Sequence, residues 1–254
     1  MRKDNSFNWA VEELCAAAWP ALEDETVAGW QLKYAAGVSR RSNSANPTPD
    51  ATEDLALVAP IVESFFRTRG LPSRFRILSF LPSQMDDWLA ARGYEIESGT
   101  RTLQARDIGA SKQSSRTVLS SSPDPAWIDG VTAAQGREGA ERETYARIVS
   151  LLTASAAFAV AHNESGEAAS WAFGVVTAHG LCIESVATRP DQRGKGFAGE
   201  TVSTLMAWGA SRGAGAAFLQ VQADNHAAVR VYDRLGFDRE LYRYHYRTLT
   251  AVAV

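Results

Sequence analysis

Apolar positions along the chain recur at two periods, one near 3.6 residues and one near 2, and the switches between them mark the elements. Trp9, Val11, Leu14, Cys15, Ala18 and Trp19 lie on one helical face, which Pro20 ends. Residues 29–35 with Val38 read as a strand that runs into a polar loop at 42–47. Leu55, Val58, Ile61, Val62, Phe65 and Phe66 form a second helical stripe, stopped by Gly70 and Pro72 and followed by a strand at 75–80. A short helix at 85–92 ends at Gly93, and 94–103 alternates as a strand.

The second half follows the same rhythm. A helix is expected at 140–152, strands at 156–161 and 169–176 about a turn at 163–166, and a further strand at 182–188. Helices at 199–212 and 227–235 follow, the second closed by Gly236 and continued by an extended segment at 237–246. Arg92-Gly93-Tyr94 corresponds to Leu235-Gly236-Phe237. The matching endings suggest an internal duplication with its junction in the Ser/Gly/Pro-rich stretch 109–125. Independent use of a common helix–Gly–aromatic–strand solution is the alternative. The expected fold is α/β with a mixed sheet, in two lobes of residues 1–110 and 111–254.

Composition narrows the class without changing this picture. Of 254 residues, 45% are hydrophobic and 22% charged, near the averages of globular proteins. No run reaches the roughly 20 apolar residues that span a bilayer, and the start, Met1-Arg2-Lys3-Asp4-Asn5, lacks the apolar core of a secretory signal. Cytoplasmic residence without membrane attachment is the default expectation. The net charge of −3 supplies no basic excess for a nucleic-acid backbone, and it mildly favours a cationic small substrate. Cys15 and Cys182 are far apart in sequence and read as buried small hydrophobes. The four histidines, 162, 179, 226 and 245, lack metal-ligand spacing, so no metal is expected.

The chemistry-bearing segment begins at the strand 182–188. It leads through Arg189-Pro190-Asp191-Gln192 into Arg193-Gly194-Lys195-Gly196-Phe197-Ala198 and then a helix. A strand, Gly-rich turn and helix aim several main-chain amides and the positive helix end at one spot, an arrangement that binds phosphate or pyrophosphate. The loop has neither the spacing of a nucleotide-triphosphate loop nor that of a dinucleotide fold. Its Arg-x-x-Gly-x-Gly/Ala-type form resembles the coenzyme loop of the GNAT superfamily of N-acetyltransferases. Asn225 and, seven residues later, Tyr232 resemble that family's pantetheine-contacting Asn and sulfur-proximal Tyr, with Leu235-Gly236-Phe237 after them. Each residue also has a plain reading, Asn225 as a helix cap and Tyr232 as a helix aromatic. The match is specific over 180–237. The first lobe shows no such loop, and the resemblance implies that it has lost coenzyme binding and is structural or walls the acceptor cleft.

The resemblance implies acetyl-CoA as co-substrate and direct acetyl transfer to an amine. A main-chain amide within Val186, Ala187 and Thr188 would polarise the thioester carbonyl, and Tyr232 would protonate the leaving thiolate. Gln220 stands where one familiar pattern has a Glu base, and an amide cannot accept the proton. Glu184, on one strand face with Val186 and Thr188 by alternation, is the candidate for handling the amine proton, through a water or by holding the amine; a salt-bridged structural role is the alternative. His226 is read as a solvent-facing helix-start residue. Trp171, Trp208, Tyr242 and Tyr244 are expected in the core, and Trp30 and Tyr34 as lining for a cleft. The acceptors implied are small primary amines: an amino sugar or aminoglycoside-type antibiotic, with antibiotic resistance as the corollary, an amino acid or a polyamine. The alternatives are a protein or peptide amine, or a catalytically inactive acetyl-CoA sensor.

Overall fold

The computed structural model describes residues 4–250. The first half contains helix α1 (Ser6–Ala18), strands β1 (Glu23–Val27), β2 (Trp30–Tyr34) and β3 (Ala45–Pro47), helix α2 (Leu55–Arg67), strand β4 (Ser73–Leu78), helix α3 (Ser83–Ala90) and strand β5 (Glu95–Arg106). The second half contains β6 (Thr117–Ser120), α4 (Pro125–Ala134), α5 (Gly139–Ser150), β7 (Ser155–His162), β8 (Ala168–Thr177), β9 (Gly180–Thr188), α6 (Phe197–Ser211), β10 (Ala216–Gln222), α7 (His226–Arg234) and β11 (Arg239–Leu249).

Most expected elements are present, and four differ. The loop at 42–47 contains the buried strand β3, β1 and β6 come from segments without apolar alternation, and α4, whose Trp127, Ile128 and Val131 share a buried face, is a further helix. α4 is set by its start: Pro125 supplies a pre-formed first turn, and the Asp124 carboxylate accepts from the Trp127 amide at 2.7 Å.

All described strands form one mixed sheet in the order β1-β2-β3-β4-β11-β5-β10-β9-β8-β7-β6. The two halves exchange their last strands. β11 lies between β4 and β5, and β5 lies between β11 and β10. Two sheets that would each end in an open edge are thereby joined through main-chain hydrogen bonds, and the edges are removed. The expected junction at 110/111 falls in the β5–β6 connection, while the hydrogen bonding runs across it.

The duplication is visible in the two helix ends. Gly93 and Gly236 adopt φ of +82° and +87°. Tyr94 donates to the Leu89 carbonyl, and Phe237 to the Tyr232 carbonyl, each at the same place in its cap. Leu89 is therefore the first-lobe counterpart of Tyr232. The N-cap residue of α3 is Pro82, where α7 has Asn225.

Helix α6 covers one face of β7, β8 and β9, packing Leu205 and Val202 against Leu181, Ile183 and Ala172. α4 and α1 cover the other face, with Trp127, Leu14 and Cys15 against Phe173, Val175 and Cys182. α1 thus belongs to the first half by sequence and to the second by packing. A third cluster, centred on Trp30, Phe66, Phe75 and Tyr94, fills the first lobe under α2 and α3. Trp30 is fully buried there and donates to the Thr52 carbonyl at 3.1 Å, and Tyr34 packs under Arg69. Neither lines a cleft, contrary to the sequence expectation, because β2 turns its aromatic face to α2. Among the described residues no helix is long and apolar enough to cross a membrane.

The seam between the lobes is polar. The buried Glu12 carboxylate of α1 receives both terminal nitrogens of Arg76 from β4, the hydroxyl of Tyr242 from β11, and the Gln220 amide from β10 at 3.3 Å. Burial alone would raise the carboxyl pKa; the Arg76 charge and the donated hydrogen bonds outweigh it and hold Glu12 below its ordinary range. A folded-state pKa that is depressed contributes stability above the unfolded pKa and loses it as pH falls through the folded one. Arg76→Met, which strands the carboxylate, is expected to cost about 3–5 kcal/mol in urea unfolding at neutral pH. Glu12→Gln combined with Arg76→Met should recover most of that loss and flatten the acid limb of the stability profile; a double variant as unstable as the single would contradict this account.

Candidate active site

β9 and β10 run parallel and pair only at Leu181–Ala217, Cys182–Phe218 and Ile183–Leu219. Beyond Ile183 they separate. The cause lies in β9, where two residues, Ser185 and Val186, face the single Ala172 of β8 and Ser185 takes a left-handed φ of +57°. This bulge re-aims the strand, at a strain of order 1–3 kcal/mol for a non-glycine residue. Strict alternation ends there, so Glu184, Ser185 and Val186 all line one cleft instead of sharing it by every second residue. The expected single face for Glu184, Val186 and Thr188 fails for this reason.

The cleft has two sections, of about 530 and 390 Å³. They meet at Gln135, Val186, Asn225, Ala228 and Tyr232, which border both. The larger section runs over the Gly-containing loop and is lined by Val186, Ala187, Thr188, Arg193, Gly194, Gly196, Phe197, Ala198 and Asn225. These nine sequence-selected residues come together. Lys195 does not line it; its ammonium turns to the Gln192 side-chain oxygen at 3.1 Å.

Gly194 and Gly196 have φ of +79° and +91°. A Cβ at either would meet no protein atom within 4 Å, so the left-handed conformation and the open space beside it are what glycine serves. Gly196 caps α6, whose first amides have no carbonyl partner within the helix. Glu200 is the residue whose amide returns to Gly196, at 3.2 Å. Phe197 is buried against Ala161 and Ala169 and fixes the helix start. The geometry presents main-chain donors and a helix dipole to an anion in the larger section.

Asn225 combines both of its readings: its side-chain oxygen caps α7 by accepting from Ala228 at 3.1 Å, and the residue borders both sections. Tyr232 is 7% exposed, with its ring on Phe237 and no hydroxyl partner among the described residues. Burial, with the Glu184 charge, raises its pKa above the ordinary phenol value, so the hydroxyl stays protonated through neutral pH. His226 is exposed at the start of α7.

The smaller section is where sequence reasoning missed the most. Glu184 is paired with Arg41, from the β2–β3 connection, at 2.7 Å. The other terminal nitrogen of Arg41 reaches the Gln220 side-chain oxygen at 2.5 Å, which also accepts from Tyr244 at 3.0 Å. Gln220 therefore takes two donors on its oxygen while its amide gives to Glu12, a pattern that a second carboxylate there would break by repulsion. Trp19, Ser39, Arg40 and Arg41 bring the first lobe into the wall, and Tyr244, expected in the core, lines it too. Arg137, after α4, donates to the Val38 carbonyl at 2.6 Å and to Gln135 at 2.9 Å; among the described residues it has no carboxylate partner. The charged lining is Arg40, Arg41 and Arg137 against Glu184. Arg40 is itself paired with Glu97 and Arg41 with Glu184, which leaves Arg137, among the described residues, as the unmatched charge of the lining. Cys15 and Cys182, remote in sequence, bring their free sulfurs to 3.7 Å beneath this section. Among the described residues no group of three His, Cys, Asp or Glu is placed to hold a metal.

The chain is similar to several known proteins. The family model described as "Probable histone acetyltransferase Rv0428c C-terminal" matches residues 9–247. The uncharacterized N-acetyltransferase YobR of Bacillus subtilis (strain 168) is 30% identical over 243 residues, covering 93% of this chain and 96% of the relative. A GCN5-related N-acetyltransferase from Kribbella flavida superposes with a TM-score of 0.71 at 14% identity, over 96% of both chains. A tandem GNAT protein from the clavulanic acid biosynthesis pathway superposes with a TM-score of 0.60 at 14% identity, over 99% of this chain and 97% of its own. The fold they share implies acetyl-CoA as co-substrate.

Replacing Gly196 by Val forces a β-branched side chain into a left-handed conformation and into the open section. Calorimetry with acetyl-CoA is expected to show affinity reduced at least ~10-fold, from a strain of order 1–3 kcal/mol, with an unchanged far-UV spectrum. Wild-type affinity would remove the loop from the coenzyme site.

Proposed function

The chain belongs to the acetyltransferase family named by that model and is a GNAT-type N-acetyltransferase, and we propose that it acetylates the primary amine of a small acceptor that carries its own anionic group. The observation that supports this reading most is the continuity of the two sections at Tyr232 and Val186. One section is formed by main-chain donors at the α6 start, the other by guanidinium groups. The loop 193–198 would take the pyrophosphate, with Asn225 along the pantetheine arm. Amides of the bulged segment 186–188 would face the thioester oxygen and gain strength as negative charge develops there.

In this reading the attacking amine lies in the smaller section as a donor to Glu184, whose other charge demand is met by Arg41. The amine proton passes toward Glu184 and the open cleft as the new C–N bond forms. Tyr232 then donates its proton to the departing thiolate, a role suited to a phenol kept protonated by burial and with no competing hydrogen bond. The anionic group of the acceptor faces Arg137, which has no carboxylate partner among the described residues. An amino acid or related amino-carboxylate satisfies both ends. A basic peptide is the second reading, motivated by the histone acetyltransferase in the family model's name. It is disfavoured by the charge of Arg137, which has no carboxylate partner among the described residues, and by the first-lobe wall.

Three outcomes are expected. Tyr232→Phe lowers kcat by about 10²–10⁴-fold while acetyl-CoA affinity measured by calorimetry stays within about twofold; a fully active variant would refute the acid role. In thiol-release assays amino-carboxylates are turned over in preference to polyamines, aminoglycosides and lysine-rich peptides, and exclusive turnover of the polycations would overturn the acceptor assignment. Arg137→Gln raises the acceptor KM by about 10–100-fold, as expected for losing a charge-assisted hydrogen bond.

A further inference from the structure

A second cavity, of about 810 Å³, opens in the first lobe between α1 and strands β2, β3 and β4. It is separate from the Gly-containing loop and shares only the Arg41 side chain with the acceptor section. Its volume lies within the range of small-molecule sites. One wall is the face of α1 carrying Trp9, Ala10 and Ala16, and the opposite rim is Pro47 and Pro49. The surface is largely apolar, with Lys33, Asn46 and Arg76 on the sheet side and Glu12 and Glu13 on α1.

Lys33 stands there. It is on β2, on the face opposite Leu32, and only 5% of the residue is exposed. The other buried cations of the cavity are both neutralised, Arg76 by Glu12 and Arg41 by Glu184. The Lys33 ammonium has no hydrogen bond or ion pair with any described residue, although its main-chain amide bonds Ser44. An unpaired buried ammonium is costly, and proteins normally match one with a carboxylate or let it lose its proton. Burial first, then the charges of Arg41 and Arg76, lower its pKa to about 8, so it is still mostly protonated at neutral pH.

We infer that this cavity binds a small carboxylic acid with an apolar body, its carboxylate on Lys33 and its hydrocarbon against α1. The anion gives Lys33 the direct ion-pair partner that Arg76 and Arg41 already have. The Gln31 side chain, on the same face of β2, lines the cavity beside Lys33 as a further donor. An alcohol or an amine of the same length fills the volume equally well and leaves the ammonium unmatched. The charged groups around Lys33 are Glu12 and Glu13 of α1, Asp24 of β1, Arg76 of β4 and Arg41 of the β2–β3 connection.

The test is calorimetry and thermal unfolding of the full chain without acetyl-CoA, using octanoate, octanol and octylamine as probes. Octanoate is expected to bind and to raise the melting temperature, with octanol and octylamine at least ~10-fold weaker, as for loss of a hydrogen bond to a charged group. Lys33→Met should raise the melting temperature of the free protein and abolish the preference for the acid, while Lys33→Arg keeps it. Ala16→Phe, which fills the cavity from α1, should remove binding with Lys33 intact. Octanoate binding should also weaken as pH rises through 8. Equal affinity for the three probes, no binding at millimolar octanoate, or undiminished binding in Lys33→Met would each overturn the inference. Because no step uses acetyl-CoA, and because Tyr232→Phe should leave the octanoate result unchanged, its failure is distinct from failure of the proposed transfer reaction.

Discussion

The Glu12 carboxylate is the interaction on which the arrangement turns. It lies at the seam where strand exchange sets β4, β11, β5 and β10 in succession, and it takes donors from β4, β11 and β10. A lone carboxylate in that position would cost far more than its hydrogen bonds return. With Arg76 in two-pronged contact it becomes a fixed anion around which donors are ordered. The order propagates. Because Glu12 faces the Gln220 amide, Gln220 presents its oxygen to Arg41, and Arg41 is held where it reaches Glu184. A glutamine at 220 is thus demanded by its neighbour, and the carboxylate lining the smaller section is on β9.

Strand exchange gives that chain of contacts its reach. Residues of the first half, Trp19 and Arg40 among them, wall a cleft whose opposite side is built by β9 and α7. Had the lobes met through side chains alone, their relative placement would rest on a surface like that of a transient interface. Here β5 and β11 are hydrogen-bonded along most of their length, so the wall has the rigidity of the sheet. Cavities can persist on both sides of it without collapse.

How much of this was legible in the sequence depends on range. The loop 193–198, Asn225 and Tyr232 are set by local rules: glycine at positive φ, a polar N-cap, a helix register of seven residues. Their spacing therefore points to residues that line one section of the cleft, Lys195 excepted. Arg41 and Arg137 could not be found this way, since nothing in Arg40-Arg41-Ser42 or Gly136-Arg137 distinguishes them from surface arginines until the fold brings them to Glu184 and the Val38 carbonyl. The same holds for Cys15 and Cys182. β1 is almost wholly exposed and β3 is three residues long, so neither leaves an apolar alternation to read. The bulge at Ser185 has no signature at all, because a left-handed serine is imposed by tertiary packing. Trp30 misled for the opposite reason: an aromatic on an alternating strand points to either face, and α2 decided which.

Duplication poses a physical question about the first lobe, and its residues answer it. β3 pairs parallel with β4 as β9 does with β10, and each leads to a helix. The β9 connection places Arg193, Gly194 and Gly196 at its helix start; the β3 connection places Asp50, Glu53 and Asp54 there, with Asp54 occupying the cap of α2. Three carboxylates at a helix N-terminus satisfy the dipole internally and repel a pyrophosphate. Pro82 at the cap of α3 offers no side-chain hydrogen bond where Asn225 does, and Leu89 has no proton to give where Tyr232 has one. Each loss alone could be tolerated, but together they leave the first lobe with a cleft and without the donors that thioester chemistry needs. The Lys33 cavity is a neighbour of the cleft at these helix starts and shares Trp9, Thr48 and Pro49 with it, so its lysine stands outside the place that a coenzyme loop would occupy.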